Sequence, residues 1–358
     1  MLAGAVVLAA AAGTFGVLAL VRDSAPSAAP PPAQAGSTAP APTSAPAAPK
    51  PFTVTATIQV GPGTDSLAAS PDGSRVYVVS SGYTVPTTGD PEREVVVTEA
   101  APPQVSVIDT TTGTVTATVP VQDGPGGIAF APDGARVYVA TFSSTIAVID
   151  PAAGAVVGSF PVRGGGSSVA LAVSPDDRRI YLTTDERDSL TVVDAGTGET
   201  VATVRVGDEP VGVAFSPDGR RAYVPNYYSD TVSVIDTATT AVVATVPVGG
   251  TPSGAVAVTP DGRFAYVGSV ESTTVIDTAT NKVTATIPGG ANAIDVAPDG
   301  SRVYAGGFEG IAVIDPAANT VADVVLPRSV QSLAVLPDGS RGYVTTGSDV
   351  VSVLALPG

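Results

Sequence analysis

A Pro-Asp-Gly triplet followed at a constant offset by a tyrosine recurs seven times in this chain, and few architectures accommodate such a repeat. The triplets begin at Pro71, Pro132, Pro175, Pro217, Pro260, Pro298 and Pro337, with Asp-Asp replacing Asp-Gly after Pro175. The tyrosines are Tyr77, Tyr138, Tyr181, Tyr223, Tyr266, Tyr304 and Tyr343. A period of about 40 residues is that of a four-stranded propeller blade. Only the first interval is clearly longer.

Each unit holds four short apolar stretches, here termed strands A to D. In the fourth unit they are VGVAF (211–215), RAYVP (221–225), TVSVID (231–236) and AVVATVPV (241–248). The triplet joins A to B as a tight turn: proline presets φ, aspartate bonds nearby backbone and glycine accepts positive φ. With a side-chain period of two, Tyr223 shares one face of strand B with Arg221, while Ala222 and Val224 point the other way. Both faces of a blade meet neighbouring blades, so a large ring with a polar tip suits that place. Strand C ends in Asp109, Asp150, Asp194, Asp236, Asp277 and Asp315, each followed by a turn sequence such as TTTG or PAAG. These aspartates are expected to open turns rather than to ring a metal, with pairing to the strand B arginines as a further structural use. Pro120, Pro161, Pro247, Pro288 and Pro327 near the ends of strands D place that strand at the outer edge, where a missing N–H is harmless.

The stretch VTATIQVG (54–61) copies the D strands VTATIPGG and VTATVPVQ, whereas the C-terminus ends on a C strand without its D. The reading is therefore an all-β, seven-bladed propeller of four-stranded blades over residues 53–358, its last blade closed by the N-terminal strand. The units resemble the YVTN β-propeller repeat: YVPN stands at 223–226, loosened elsewhere to YVVS, YVAT, YLTT, YVGS, YAGG and YVTT, and VGDEP (206–210) matches its preceding loop. That resemblance spans everything after the linker. It implies a surface-layer, secreted or envelope-attached module and names no ligand, since propellers host unrelated tasks.

Composition narrows the chemistry. The chain has no histidine and no cysteine, which removes thiolate nucleophiles, imidazole bases, His-ligated heme or copper and ordinary zinc sites. With 33 acids against 17 bases, a net charge of −16 repels nucleic acid. No cofactor or metal is expected. Residues 1–21, MLAGAVVLAAAAGTFGVLALV, carry no charge and are long enough to cross a bilayer as a helix, as an anchor or a cleaved signal. Residues 22–52 are rich in Pro, Ala and Ser and read as an extended spacer. Arg22 alone after the apolar run points the body inward, while a membrane-proximal spacer points it outward; the outward orientation is the expectation taken here. The membrane is met through the N-terminal helix only, and the propeller is expected to be monomeric.

In a propeller the D–A and B–C loops share one face and the A–B and C–D turns the other. The turns are uniform from copy to copy, whereas the loops differ, so binding is expected on the loop face. The candidates are Arg163 and Arg328 near the funnel mouth, Asp185 and Glu186, Asp208 and Glu209, the adjacent Tyr227 and Tyr228, and Phe308 with Glu309. The first unit adds a long B–C connection, SSGYTVPTTGDPEREVVVTEAAPPQ, that reads as a projecting hairpin around GDPE. The expected role is non-catalytic binding of a protein, glycan or small ligand. The alternative is a lactonase-like hydrolase acting on a sugar lactone or related ring through funnel carboxylates and arginines.

Overall fold

The computed structural model describes residues 53–84, 98–99, 101–122, 124–162, 168–184, 188–325 and 329–356. The apolar N-terminal run and the spacer lie outside them. All described residues belong to one compact unit, Pro49–Gly358. No helix among them is long and apolar enough to cross a membrane.

Seven four-stranded antiparallel sheets make up the unit, with a small two-stranded sheet beside them. Blade 4 shows the plan: A (Ala214–Phe215), B (Arg221–Asn226), C (Thr231–Asp236) and D (Ala241–Pro247) are hydrogen-bonded in that order. Its strand A is shorter than the 211–215 expected, leaving only a bridge from Pro210 to Asn226 ahead of it. The backbone there packs closely across blades: a Cβ on Gly212 would stand 2.0 Å from the carbonyl oxygen of Gly254 in blade 5. In blade 7 the order is Ser332–Val335, Arg341–Thr345, Val350–Ala355 and then Thr53–Gln59, the last pair in antiparallel register from Thr53 opposite Ala355 to Gln59 opposite Val350. In every blade the register of the C–D pair slips once, as at Val234/Ile235, a bulge that sharpens strand twist.

The apolar core is divided among the blade interfaces. Seven buried clusters are present, and each contains one of the repeat tyrosines packed on the following blade. Tyr223 lies with Ala265, Val267 and Ile276 of blade 5, and Tyr343 of blade 7 lies with Val76, Val78 and Ile108 of blade 1. Ile58, Val351 and Val353 join that last cluster. One isolated unit would leave its tyrosine face in water, which explains the need for many copies.

The turn face is tied polar group by polar group. Asp72 Oδ1 accepts the Ser70 hydroxyl at 2.6 Å and the Ser74 N–H at 3.0 Å; Asp176, Asp218 and Asp261 repeat the pattern. These hydrogen bonds hold all four carboxyls below the usual carboxylate range. At the ends of strands C, Asp109 accepts the Thr111 and Thr112 N–H groups, and Asp150, Asp194, Asp236, Asp277 and Asp315 make equivalent turns. Arg179 and Arg221 pair with Asp194 and Asp236. Arg75, Arg136 and Arg341 instead donate to the carbonyls of Pro151, Ala195 and Thr110 in the next blade. Where aspartate replaces the turn glycine, Asp177 sits at φ 61° and accepts the Asp133 N–H of blade 2 at 3.2 Å, so the strained backbone gains an interblade bond.

Candidate functional site: the loop face

The inner strands surround the axis, and their polar residues are unevenly placed. At the position three residues before the repeat proline, six blades carry alanine (Ala68, Ala129, Ala172, Ala214, Ala257 and Ala334) and blade 6 carries Asp295. Its Oδ2 accepts the Val335 N–H of blade 7 at 2.7 Å and its Oδ1 the Val296 N–H at 2.8 Å. Burial pushes its pKa up to about 6 against the pull of those two donors. Asp65, at the head of the inner strand of blade 1, is likewise pushed up to about 6 by burial, with the Ser81 hydroxyl acting in the opposite sense. Asn292 and Gln331 hold the register of Asp65 in blades 6 and 7, giving a polar arc over three consecutive blades. Among the described residues no group of three His, Cys, Asp or Glu side chains is arranged to hold a metal.

Around that rim the B–C loops project. Tyr227 and Tyr228 meet edge to face, centroids 5.0 Å apart at 83°, and Tyr228 is 72% exposed. The Tyr227 N–H donates to the Glu209 carbonyl at 2.8 Å, the Tyr228 N–H to the Asp208 carbonyl at 3.3 Å, and the Asp208 N–H to the Ser229 hydroxyl at 2.6 Å. Four of the expected residues, Asp208, Glu209, Tyr227 and Tyr228, therefore form one stitched patch where a D–A loop meets a B–C loop. Glu209 is held at φ 53° and its N–H donates to Asp188, which also pairs with Arg205 at 3.5 Å. Phe308 (56% exposed) and the exposed Glu309 stand two blades away on the same face. Arg163, Asp185, Glu186 and Arg328 lie outside the described residues. So does most of the blade 1 insertion, of which only the base is described, Tyr83–Thr84 paired with Thr98–Glu99.

Three further residues of this face were not singled out from the sequence. Phe142 in blade 2 and Val270 in blade 5 occupy the register of Tyr227 and Phe308, immediately after strand B, and are exposed; Glu271 follows Val270. The signal was present, since the loops align on the repeat proline, but each residue looks ordinary until the seven loops are superposed. A cleft of about 400 Å³ opens beside Glu271, bounded by Val248, Gly249, Gly250, Ser272, Thr286 and Pro288. A larger one, about 470 Å³, lies on the opposite face between blades 1 and 2, beneath Pro71, Arg75, Tyr77, Phe130 and Pro151. The C–D turn of blade 2 is Pro-Ala-Ala-Gly, and the Tyr77 hydroxyl beside the cleft has no partner among the described residues.

A family model described as a domain of unknown function, DUF5074, matches residues 165–340, the stretch from blade 3 to the first turn of blade 7. Comparison with curated proteins finds no match. Among solved structures the hydrazine synthase of Kuenenia stuttgartiensis matches with a TM-score of 0.67 at 23% identity, covering 82% of this chain and 96% of that one. The chain is thus a seven-bladed, all-β propeller similar over its second half to the DUF5074 model. At that identity the likeness to hydrazine synthase concerns the fold alone.

Proposed function

We propose that this chain is a non-catalytic propeller of the YVTN repeat type that acts as a binding scaffold, tethered outside a membrane by its apolar N-terminal run and presenting its loop face to a partner. In this reading the strand Thr53–Gln59 closes the ring and joins the tether to the body. The observation that carries the proposal is the distribution of exposed apolar side chains. Off the outer D strands, every large one among the described residues stands in a B–C loop: Tyr83, Phe142, Tyr228, Val270 and Phe308. Exposed apolar clusters on a rigid body mark interaction surfaces, and aromatic residues are favoured anchors. The turn face offers no comparable set, and its aspartates are engaged in holding turns.

The test is capture of partners from an envelope extract by the full chain, compared with Tyr228→Ser/Phe308→Ser. The expected result is loss of the captured species with an unchanged melting temperature. Identical capture by both proteins would rule out the loop face. A second reading, hydrolysis of a lactone or similar small ring, draws on Asp65 and Asp295, two inner-strand carboxyls whose raised pKa suits proton transfer near neutrality. It requires turnover on a lactone panel that Asp65→Asn or Asp295→Asn abolishes.

A further inference from the structure

The loop face over blades 4 to 6 repeats one motif. In each B–C loop a bulky apolar residue precedes an acid: Tyr227-Tyr228 with Asp230, Val270 with Glu271, and Phe308 with Glu309. Tyr228, Val270 and Phe308 are 72%, 50% and 56% exposed, and the three acids are exposed as well. None of these acids is in an ion pair among the described residues. The D–A and B–C loops from Asp208 to the start of blade 7 carry five acids, Asp208, Glu209, Asp230, Glu271 and Glu309, against one base, Arg328. The other basic residues of this stretch, Arg220, Arg221, Arg263, Lys282 and Arg302, all stand at the opposite, turn-facing ends of the strands. Apolar anchors and net negative charge therefore coincide on one arc, and a cleft opens beside Glu271 in its middle blade.

We infer that this arc docks a cationic polypeptide segment in which Lys or Arg side chains alternate with apolar ones. The inference rests on the loop-face reading above and names the chemistry of its partner. The alternation follows from the arc itself: the three loops present apolar and acidic groups in turn, so an occupant that buries the first and pairs the second must carry apolar and basic groups in turn. A glycan lacks the positive charge, and an anionic lipid surface or nucleic acid is repelled by the acids. Charge alone steers encounter and is screened by salt, whereas burial of Tyr228 and Phe308 decides how long the complex lasts.

The experiment measures fluorescence anisotropy of three labelled ten-residue peptides with the intact protein: alternating Lys-Leu, alternating Lys-Ser and alternating Glu-Leu. Lys-Leu is expected to bind at least about 10-fold more tightly than either of the others, the equivalent of about 1.4 kcal/mol. Tyr228→Ser/Phe308→Ser is expected to weaken Lys-Leu by about 10-fold or more while leaving the salt slope in place. Asp230→Asn/Glu271→Gln/Glu309→Gln is expected to flatten that slope, and both variants should melt with the parent. Equal binding of Lys-Ser, or an unchanged affinity in the aromatic variant, would reduce the effect to general attraction by an acidic protein and overturn the inference. Equal binding of Glu-Leu, or no binding of any peptide, overturns it too. If loop-dependent capture from envelope extract persists in those last two cases, the binding-scaffold reading stands and only the cationic partner falls.

Discussion

The seven repeat tyrosines are chemically identical, yet their hydroxyls meet different fates at the boundary with the next blade. Tyr266 donates to Asn319 Oδ1 at 2.7 Å, whereas Tyr77 faces an alanine turn and has no partner among the described residues. Tyr266→Phe should therefore cost about 1 kcal/mol, while Tyr77→Phe should be neutral within a few tenths, read from urea midpoints. Equal losses would show that the hydroxyls act through something other than these bonds. Asp295 supplies a second prediction, with a definite sign. Its folded pKa of about 6 lies above the value of 3.8 expected in the unfolded chain, so between those pH values the folded state holds the extra proton. Stability from this group is full below about pH 4 and declines as pH rises to about 6, by up to about 3 kcal/mol at about 1.4 kcal/mol per unit. Asp295→Asn should flatten that decline in urea titrations at pH 4, 5, 6 and 7; parallel curves for the two proteins would contradict it. The turn aspartates act in the opposite direction. Asp236, held down to about 2 first by the Thr239 N–H and then by Arg221, contributes stability that is lost as pH falls through that value.

Within an element, the outer and inner strands respond differently to the same change. Gly158 in strand D of blade 2 has open space around it, and Gly158→Ala should be neutral or slightly stabilising by restricting the unfolded chain. Gly212→Ala places a methyl 2.0 Å from a backbone carbonyl of blade 5 that cannot rotate away. Blades 4 and 5 must then part at their inner edges, at a cost of about 1–3 kcal/mol. Thermal melts of the two variants test the contrast. A Gly212→Ala protein as stable as its parent would mean that the inner strands are free to slide. The loops behave as a separate class: Tyr228 and Phe308 are exposed, so their removal should alter binding without altering the melt.

For the whole molecule the decisive junction is between blades 7 and 1. Thr53–Gln59 pairs with Val350–Ala355, and Ile58 shares an apolar cluster with Val351, Val353 and Tyr343. A chain starting at residue 60 should expose the edge of Val350–Ala355, lose cooperative unfolding and aggregate, whereas one starting at residue 49 should melt with the full-length protein. Size-exclusion profiles and melts of both distinguish the outcomes. Equal behaviour would mean that the interblade clusters hold the ring without the terminal strand.

Strand count, turn chemistry and blade order were legible in the chain because they are local and repeated. Proline, aspartate and glycine set each turn through their own backbone preferences, and seven copies of one pattern leave little room for another fold. The patch made by Asp208, Glu209, Tyr227 and Tyr228 was partly legible, as aromatic and acidic residues in variable loops. The rest depended on tertiary structure. That Phe142 and Val270 extend the same apolar rim, that Asp295 stands in an alanine column facing the next blade, and that the loops of blades 4 to 6 carry acids while the bases borne on their strands stand at the turn-facing ends are consequences of stacking distant repeats around an axis. Burial and charge balance belong to such assembled surfaces, and no single repeat contains the neighbour that decides them.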